Sequence, residues 1–170
     1  MVTLQKISLS DVVLLRNLAV ATFKEKFVGT TTLDNIEKYI TDKMSVSVFC
    51  SELENDNCQF YLATSNNDIV GYLKVNKYGA QTELQDKTSL EIERIYVLNA
   101  FKRQGIGKFL LNKAIQIARD NELKYIWLGV WEHNNEAVGF YKNNGFLVFD
   151  THIFTIGNDD QTDYLMRLDL

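Results

Sequence analysis

The sequence predicts a mixed α/β sheet with a mostly antiparallel rim, and three observations lead to it. Residues 59–64 and 69–75 are β-branched and aromatic runs around the turn cluster Ser65-Asn66-Asn67-Asp68, the pattern of an antiparallel hairpin. Residues 89–97 (SLEIERIYV) and 125–130 (YIWLGV) read as strands separated by an amphipathic segment over 105–119, and strand, helix, strand means a parallel crossover. Two further strands, 146–155 and 162–168, are joined by Gly157-Asn158-Asp159-Asp160. With a short alternating strand over 3–7, the sheet has seven strands.

The remaining elements follow in order. Ser8 with Asp11 is a variant capping box, and Leu15, Leu18, Ala19 and Thr22 keep the spacing of one helical face, so a first helix ends near Lys26. Thr32 can cap a second helix carrying the stripe Leu33, Ile36, Ile40 and Met44, and 45–54 suits a short third turn. Residues 76–88 read as polar loop. Behind the 89–97 strand, Leu110, Ala114, Ile117 and Ala118 mark the buried side of the crossover helix. Asn134 can cap a last helix that stops at Gly145, a residue type suited to the left-handed position past a helix end.

Composition narrows the function. The chain has 170 residues, 46% of them hydrophobic, which suits one domain over the full length with a substantial core. Lys plus Arg is 18 and Asp plus Glu is 22, a net charge of −4, without the broad positive field that holds nucleic acid. No stretch has the roughly 20 apolar residues that cross a bilayer, and the first residues lack a leader pattern, so a cytoplasmic location without membrane partners is expected. Cys50 and Cys58, with His133 and His152, make neither a disulfide framework nor a zinc site, so reduced thiols and no metal are expected. Exposed sheet edges permit a homodimer without requiring one.

The most informative stretch is Lys102-Arg103-Gln104-Gly105-Ile106-Gly107-Lys108, which follows a strand and opens a helix. The first turn of a helix leaves backbone N–H groups unpaired at the positive end of the dipole, so a phosphate or pyrophosphate is stabilised there. Lys102, Arg103, Lys108 and Lys113 form a local basic patch in an otherwise acidic chain. A nucleotide-binding Walker loop would need Ser or Thr where Phe109 stands, and a dinucleotide fingerprint would want Gly or Ala at Leu110. On glycine spacing alone the stretch also reads as a tight turn before an ordinary helix.

With KRQGIG between LEIERIYV and an amphipathic helix, then a strand, then NNEAVGFY and NGF, the sequence resembles the GNAT superfamily of N-acetyltransferases. The family's phosphate turn is written Gln/Arg-x-x-Gly-x-Gly/Ala, and here its first place is Lys102, which keeps a positive charge. The matched core runs over about 89–146. Thr22-Phe23, EIERIYV, NKAIQIA, IWLGVWE and Asp160-Gln161-Thr162-Asp163 are similar to the PaiA-type spermidine/spermine acetyltransferases. The resemblance implies the GNAT fold, with a splayed central pair of parallel strands, acetyl-CoA as co-substrate and a small-molecule primary amine, such as a polyamine, as acceptor.

The resemblance further implies that Arg103, Gln104, Gly105, Ile106, Gly107 and Lys108 offer amides to the pyrophosphate. The pantetheine would run beside Ile95, Tyr96 and Val97, adding strand-like hydrogen bonds. Asn134 matches the family position that hydrogen-bonds the cofactor, and as a helix cap it needs no such role. Tyr141 matches the family's general acid; a phenol with pKa near 10 stays protonated and can give its proton to the leaving sulfur, although an aromatic in an amphipathic helix also reads as core. The acceptor, an alkylamine with pKa near 10.4, must lose a proton before it attacks. Glu91 and Glu93 share one face of a regular strand near the acyl position, and Glu93 is the first choice of base, unless it is solvated or paired with a nearby cation.

Asp150, Asp159, Asp160 and Asp163 near the end, with Glu83 and Asp86 in the 76–88 loop, can recognise a polycation if the terminal hairpin folds over the cleft. His133, His152, Trp127, Trp131 and both cysteines read as structural. Two other functions compete: a protein or peptide amino-terminal acetyltransferase, and an acetyl-CoA-binding regulator without turnover.

Overall fold

In a computed structural model covering Met1–Leu170, the strands are β1 (Val2–Lys6), β2 (Cys58–Ser65), β3 (Asp68–Lys77), β4 (Ser89–Val97), β5 (Tyr125–Trp131), β6 (Leu147–Ile156) and β7 (Asp159–Asp169). The helices are α1 (Val12–Phe27), α2 (Leu33–Lys43), α3 (Val46–Glu54), α4 (Ile106–Asp120) and α5 (Asn135–Asn143). One seven-stranded sheet runs in the order β1-β2-β3-β4-β5-β7-β6. Only β4 and β5 are parallel; every other neighbouring pair is antiparallel. This is the fold expected from the resemblance.

The sheet separates two apolar layers. On one face α4 and α5 bury Leu110, Ala114, Ile117 and Val138 against Leu73, Ile92, Ile126 and Leu128. On the other, Leu15, Phe23, Ile36 and Phe49 of α1, α2 and α3 close over Phe60, Leu62, Tyr72 and Ile156. The expected α1 face is the one buried: Leu15 and Ala19 are wholly inaccessible. Truncating a side chain such as Leu15 to Ala would cost about 2–5 kcal/mol.

Local signals set most boundaries. Ser8 N–H donates to Asp11 Oδ2 at 3.1 Å, although the box opens a short 3₁₀ turn before α1 rather than α1 itself. Thr32 and Ser45 cap α2 and α3 by accepting from Asn35 N–H and Val48 N–H. Asn134 caps α5 by accepting from Ala137 N–H at 3.1 Å, and Gly145 takes φ +89° past its end.

The 76–88 segment is less of a loop than its polarity suggests. β3 extends to Lys77, and Asn76 is fully buried within it. Gln81, also buried, donates to Asp86 O and Ser89 O and accepts from Trp127 Nε1, pinning the segment against the β4–β5 end of the sheet. A buried amide satisfied on both sides orders a connection that apolar patterning cannot reveal.

Candidate active site

Where β4 and β5 stop pairing, the sheet opens. Their ladder holds only Ser89↔Tyr125, Leu90↔Ile126 and Glu91↔Trp127. Beyond it β4 stays on β3 as far as Val97, and β5 stays on β7 as far as Trp131. Both strands therefore turn an unpaired backbone edge to the gap, and each such edge can add an extended chain by hydrogen bonding. A cleft of about 690 Å³ occupies this place, with Ile95, Tyr96 and Val97 on one side and the starts of α4 and α5 at its mouth.

The glycine turn forms that mouth. Gly105 takes φ +80° and Arg103 φ +62°, both in the left-handed region, and α4 begins at Ile106. Phe109 is the first amide to bond backwards, to Gly105 O at 3.0 Å, so the amides of Ile106, Gly107 and Lys108 have no partner within the helix. Lys102, Arg103, Gly105, Gly107 and Lys108 line the cleft. Three sequence-selected side chains turn elsewhere: Gln104 reaches only Ala100 O, Ile106 is buried in the core, and Lys113 lies 5.1 Å over the Tyr61 ring. For Ile106, only the backbone is available to a ligand.

Asn134 and Tyr141 both line the cleft. The cap occupies Asn134 Oδ1 and leaves Nδ2 free to donate, so the cap and a ligand contact are compatible. Tyr141 packs its ring against Phe140 and Phe146 at 5.3 and 5.6 Å between centroids. Its hydroxyl makes no hydrogen bond within the chain, and burial, helped by Tyr96, pushes its pKa well above the usual phenol value. The phenol therefore stays protonated at any working pH.

A second cavity of about 240 Å³ lies beside the cleft and shares Lys26, Phe27, Ile92, Glu93, Tyr96, Gly129 and Trp131 with it. Its carboxylates are Glu83, Glu91, Glu93 and Asp163. Of the acids picked out in the sequence, Asp86 instead accepts from Tyr125 Oη and Thr88, Asp160 from Thr155, and Asp150 stays on the exposed β6 edge. The terminal hairpin contributes His152, Phe154, Gln161 and Asp163. Trp131, expected to be core, forms a wall common to both spaces, whereas Trp127 is buried and anchored on Gln81.

Glu91 and Glu93 do share a face, since Asn76 Nδ2 donates to both at 2.9 and 2.6 Å, but β4 is not regular. Lys74 pairs with Arg94 and Val75 with Ile92, so Glu93 is an extra residue, a β-bulge. The bulge brings Arg94 round beside Glu93, with Nη2 3.3 Å from Oε1. Lys74, only 2% exposed, bonds Glu93 and, at 2.7 Å, Glu52. Burial alone would raise the Glu93 pKa; the charges of Lys74 and Arg94 prevail and lower it. Glu91 shifts the other way: burial raises its pKa against hydrogen bonds from Thr82 and Asn76. Glu93 is thus a fixed anion.

The residue that sequence reasoning passed over is His152. Its Nδ1 lies 2.7 Å from Glu83 Oε1 and its Nε2 3.5 Å from Asp163 Oδ2. The carboxylates of Asp163 and Glu83 on its two sides outweigh burial and raise its pKa to about 8. In sequence its partners are 69 and 11 positions away, and only the register His152↔Asp163 across β6 and β7 could have signalled one of them.

Comparison with known proteins fits this geometry. A profile of the Acetyltransferase (GNAT) family matches residues 17–146. An uncharacterized N-acetyltransferase of the pepI 3′ region of Lactobacillus delbrueckii subsp. lactis is 34% identical over 146 residues, 86% of this chain and 84% of its own. The spermidine N(1)-acetyltransferase of Thermoplasma acidophilum is 25% identical over 170 residues, covering 98% and 96%. The crystal structure of the PaiA N-acetyltransferase from Thermoplasma acidophilum with coenzyme A superposes with TM-score 0.81 at 24% identity, over 100% of this chain and 99% of that one. A ribosomal-protein-alanine N-acetyltransferase from Brucella melitensis gives TM-score 0.69 at 16% identity, covering 99% of both, a likeness of fold alone. The profile match, spanning well over half of the chain, and the sheet that parts between β4 and β5 place this protein in the GNAT family of acetyl-CoA-dependent N-acetyltransferases.

Proposed function

We propose that this acetyltransferase acts on a primary amine of a polycation, a polyamine such as spermidine or spermine. The observation that carries the reading is the second cavity: it shares a wall with the cleft at the strand gap and gathers Glu83, Glu91, Glu93 and Asp163 against Lys26 and Arg94. An ammonium ion is drawn to such a carboxylate-lined space. The 25% identity to a spermidine N(1)-acetyltransferase agrees with it.

Bound acetyl-CoA supplies a thioester whose acetyl group the amine accepts. In our reading the free amides of Ile106, Gly107 and Lys108, together with the turn residues Arg103, Gln104 and Gly105, hold its pyrophosphate. Ile95, Tyr96 and Val97 offer the β4 edge to its pantetheine, and Asn134 Nδ2 donates to it. The open edges, the basic rim of Lys102, Arg103 and Lys108, and the cleft volume suit such a ligand. Tyr141 is the acid that protonates the departing sulfur. Glu93, its charge met by Lys74 and Arg94, fixes the wall at the boundary of the two cavities.

The test is thiol release from acetyl-CoA across a panel of polyamines, monoamines, aminoglycosides and peptides with free amino termini. Spermidine and spermine should give the highest kcat/KM. Peptides outcompeting them would assign the amino-terminal acetyltransferase function instead, and tight coenzyme A binding without turnover of any amine would leave a regulator.

A further inference from the structure

We infer that His152, with Nδ1 fixed by Glu83, takes the proton from the acceptor amine in a notch over Gly129. The inference rests on the amine-acetyltransferase reading and adds a catalytic residue to it.

Three geometric facts meet there. First, Glu83 Oε1 lies 2.7 Å from Nδ1, so the carboxylate accepts the Nδ1 proton and the neutral ring presents Nε2 as its lone-pair nitrogen. Second, Nε2 is buried without a hydrogen-bond partner. Third, a Cβ at position 129 would stand 3.4 Å from both Nε2 and Asp163 Oδ2. The missing side chain therefore leaves room for one small group touching both atoms. An ammonium fits: the carboxylate meets its charge and the imidazole its proton. Gly129 also lines the cofactor cleft, so the notch adjoins the path of the thioester.

The same cavity holds other unpartnered buried atoms, Gln161 Oε1 and Tyr72 Oη, on residues 6% and 0% exposed. Buried polar atoms in native proteins have partners, so this concentration marks a space built for a polar ligand.

The proton balance closes. His152 Nε2 removes one proton from the ammonium. The freed electron pair on nitrogen forms the N–C bond to the acetyl carbon while the C–S bond breaks. Sulfur takes the Tyr141 proton, and the tyrosinate recovers one from the new amide nitrogen. The imidazolium, between Glu83 and Asp163, returns its proton to solvent. Each turnover yields one amide, one thiol and one proton.

The other charged and titratable groups facing this space are Glu91, Glu93 and Arg94 on β4, Lys26 on α1, and Tyr39, Tyr72 and Tyr96. Glu93 and Arg94 neutralise one another; burial raises the Tyr39 pKa to about 12 and that of Tyr72 further, so both phenols stay protonated. Deprotonation of His152 near pH 8 should therefore govern a rising limb of kcat/KM.

The experiment compares pH profiles of wild type, His152→Gln and Glu83→Gln, with coenzyme A affinity measured alongside. His152→Gln should lose the limb near pH 8 and fall about 10²- to 10⁴-fold in kcat/KM at pH 8 with unchanged coenzyme A affinity. Glu83→Gln should move the limb to lower pH, because one raising partner is gone. Imidazole ¹⁵N NMR, resolving only His133 and His152, should show the Nδ1–H tautomer and a shift of His152 Nε2 on adding spermidine. Amine-dependent thiol release with the limb intact in folded His152→Gln would overturn the role of His152 alone. An absence of thiol release with every amine would overturn the transferase reading, and an unmoved His152 resonance at saturating spermidine would overturn the notch directly.

Discussion

Replacing Tyr141 by Phe removes one oxygen and should remove most of the chemistry. The ring is 7% exposed and wedged between Phe140 and Phe146, contacts that Phe retains. Because the hydroxyl has no hydrogen bond within the chain, its loss should cost less than about 1 kcal/mol of stability. In a chain of this size the melting temperature should then move by no more than roughly 2–4 °C. Coenzyme A affinity should be unchanged, since the cleft keeps its amides, cations and strand edge. Loss of a positioned acid costs typically 10²- to 10⁴-fold, about 3–5 kcal/mol of transition-state stabilisation. The assay is single-turnover and steady-state thiol release with spermidine and acetyl-CoA, with calorimetric titration of coenzyme A. A raised phenol pKa also means that wild type keeps its acid at alkaline pH, with no falling limb below about pH 10 from this group. A folded variant with wild-type kcat would refute the role, and so would a large loss of cofactor affinity accounting for the whole effect.

Three other outcomes are expected. Gly105→Ala meets no atom within 4 Å but must hold φ +80°, which costs an L-residue about 1–2 kcal/mol; calorimetry should show that loss, and coenzyme A should bind more weakly because the α4 amides tilt. Gly129→Ala fills the notch between His152 and Asp163 without disturbing the fold, so the amine KM should rise about tenfold or more while coenzyme A affinity holds; an unchanged KM would exclude an amine there. Lys74→Ala strands Glu93 and Glu52 with less compensation, which should cost about 3 kcal/mol in urea unfolding; the deficit should shrink as pH falls into the carboxylate range, because a protonated Glu93 needs no cation.

The sheet and the glycine turn were legible because they depend on local, periodic information. Alternating runs mark strands, i, i+3, i+4 spacing marks α1 and α4, and glycine placement marks the helix start that the cleft uses. The second cavity was not legible in the same way. Glu93 on a regular strand has a simple facing rule, but the register Lys74↔Arg94, Val75↔Ile92 inserts a residue and brings a cation alongside. No alternation pattern reports a bulge that shows only in the register with the neighbouring strand. His152 was hidden for a related reason: an imidazole in an apolar run reads as packing until a loop 69 positions away supplies Glu83. That loop is itself ordered by Gln81, whose polarity reads as solvent exposure and whose amide is in fact enclosed.

The brief β4–β5 ladder carries one more implication. It divides the molecule into a four-strand leaf and a three-strand leaf, riveted by three residue pairs at one end. Any extended molecule lying along both bare edges supplies the rungs that the polypeptide omits and stiffens the two leaves as a unit. Amide exchange on the far portions of both strands should therefore slow together when the donor binds, and quicken together when the spent carrier leaves.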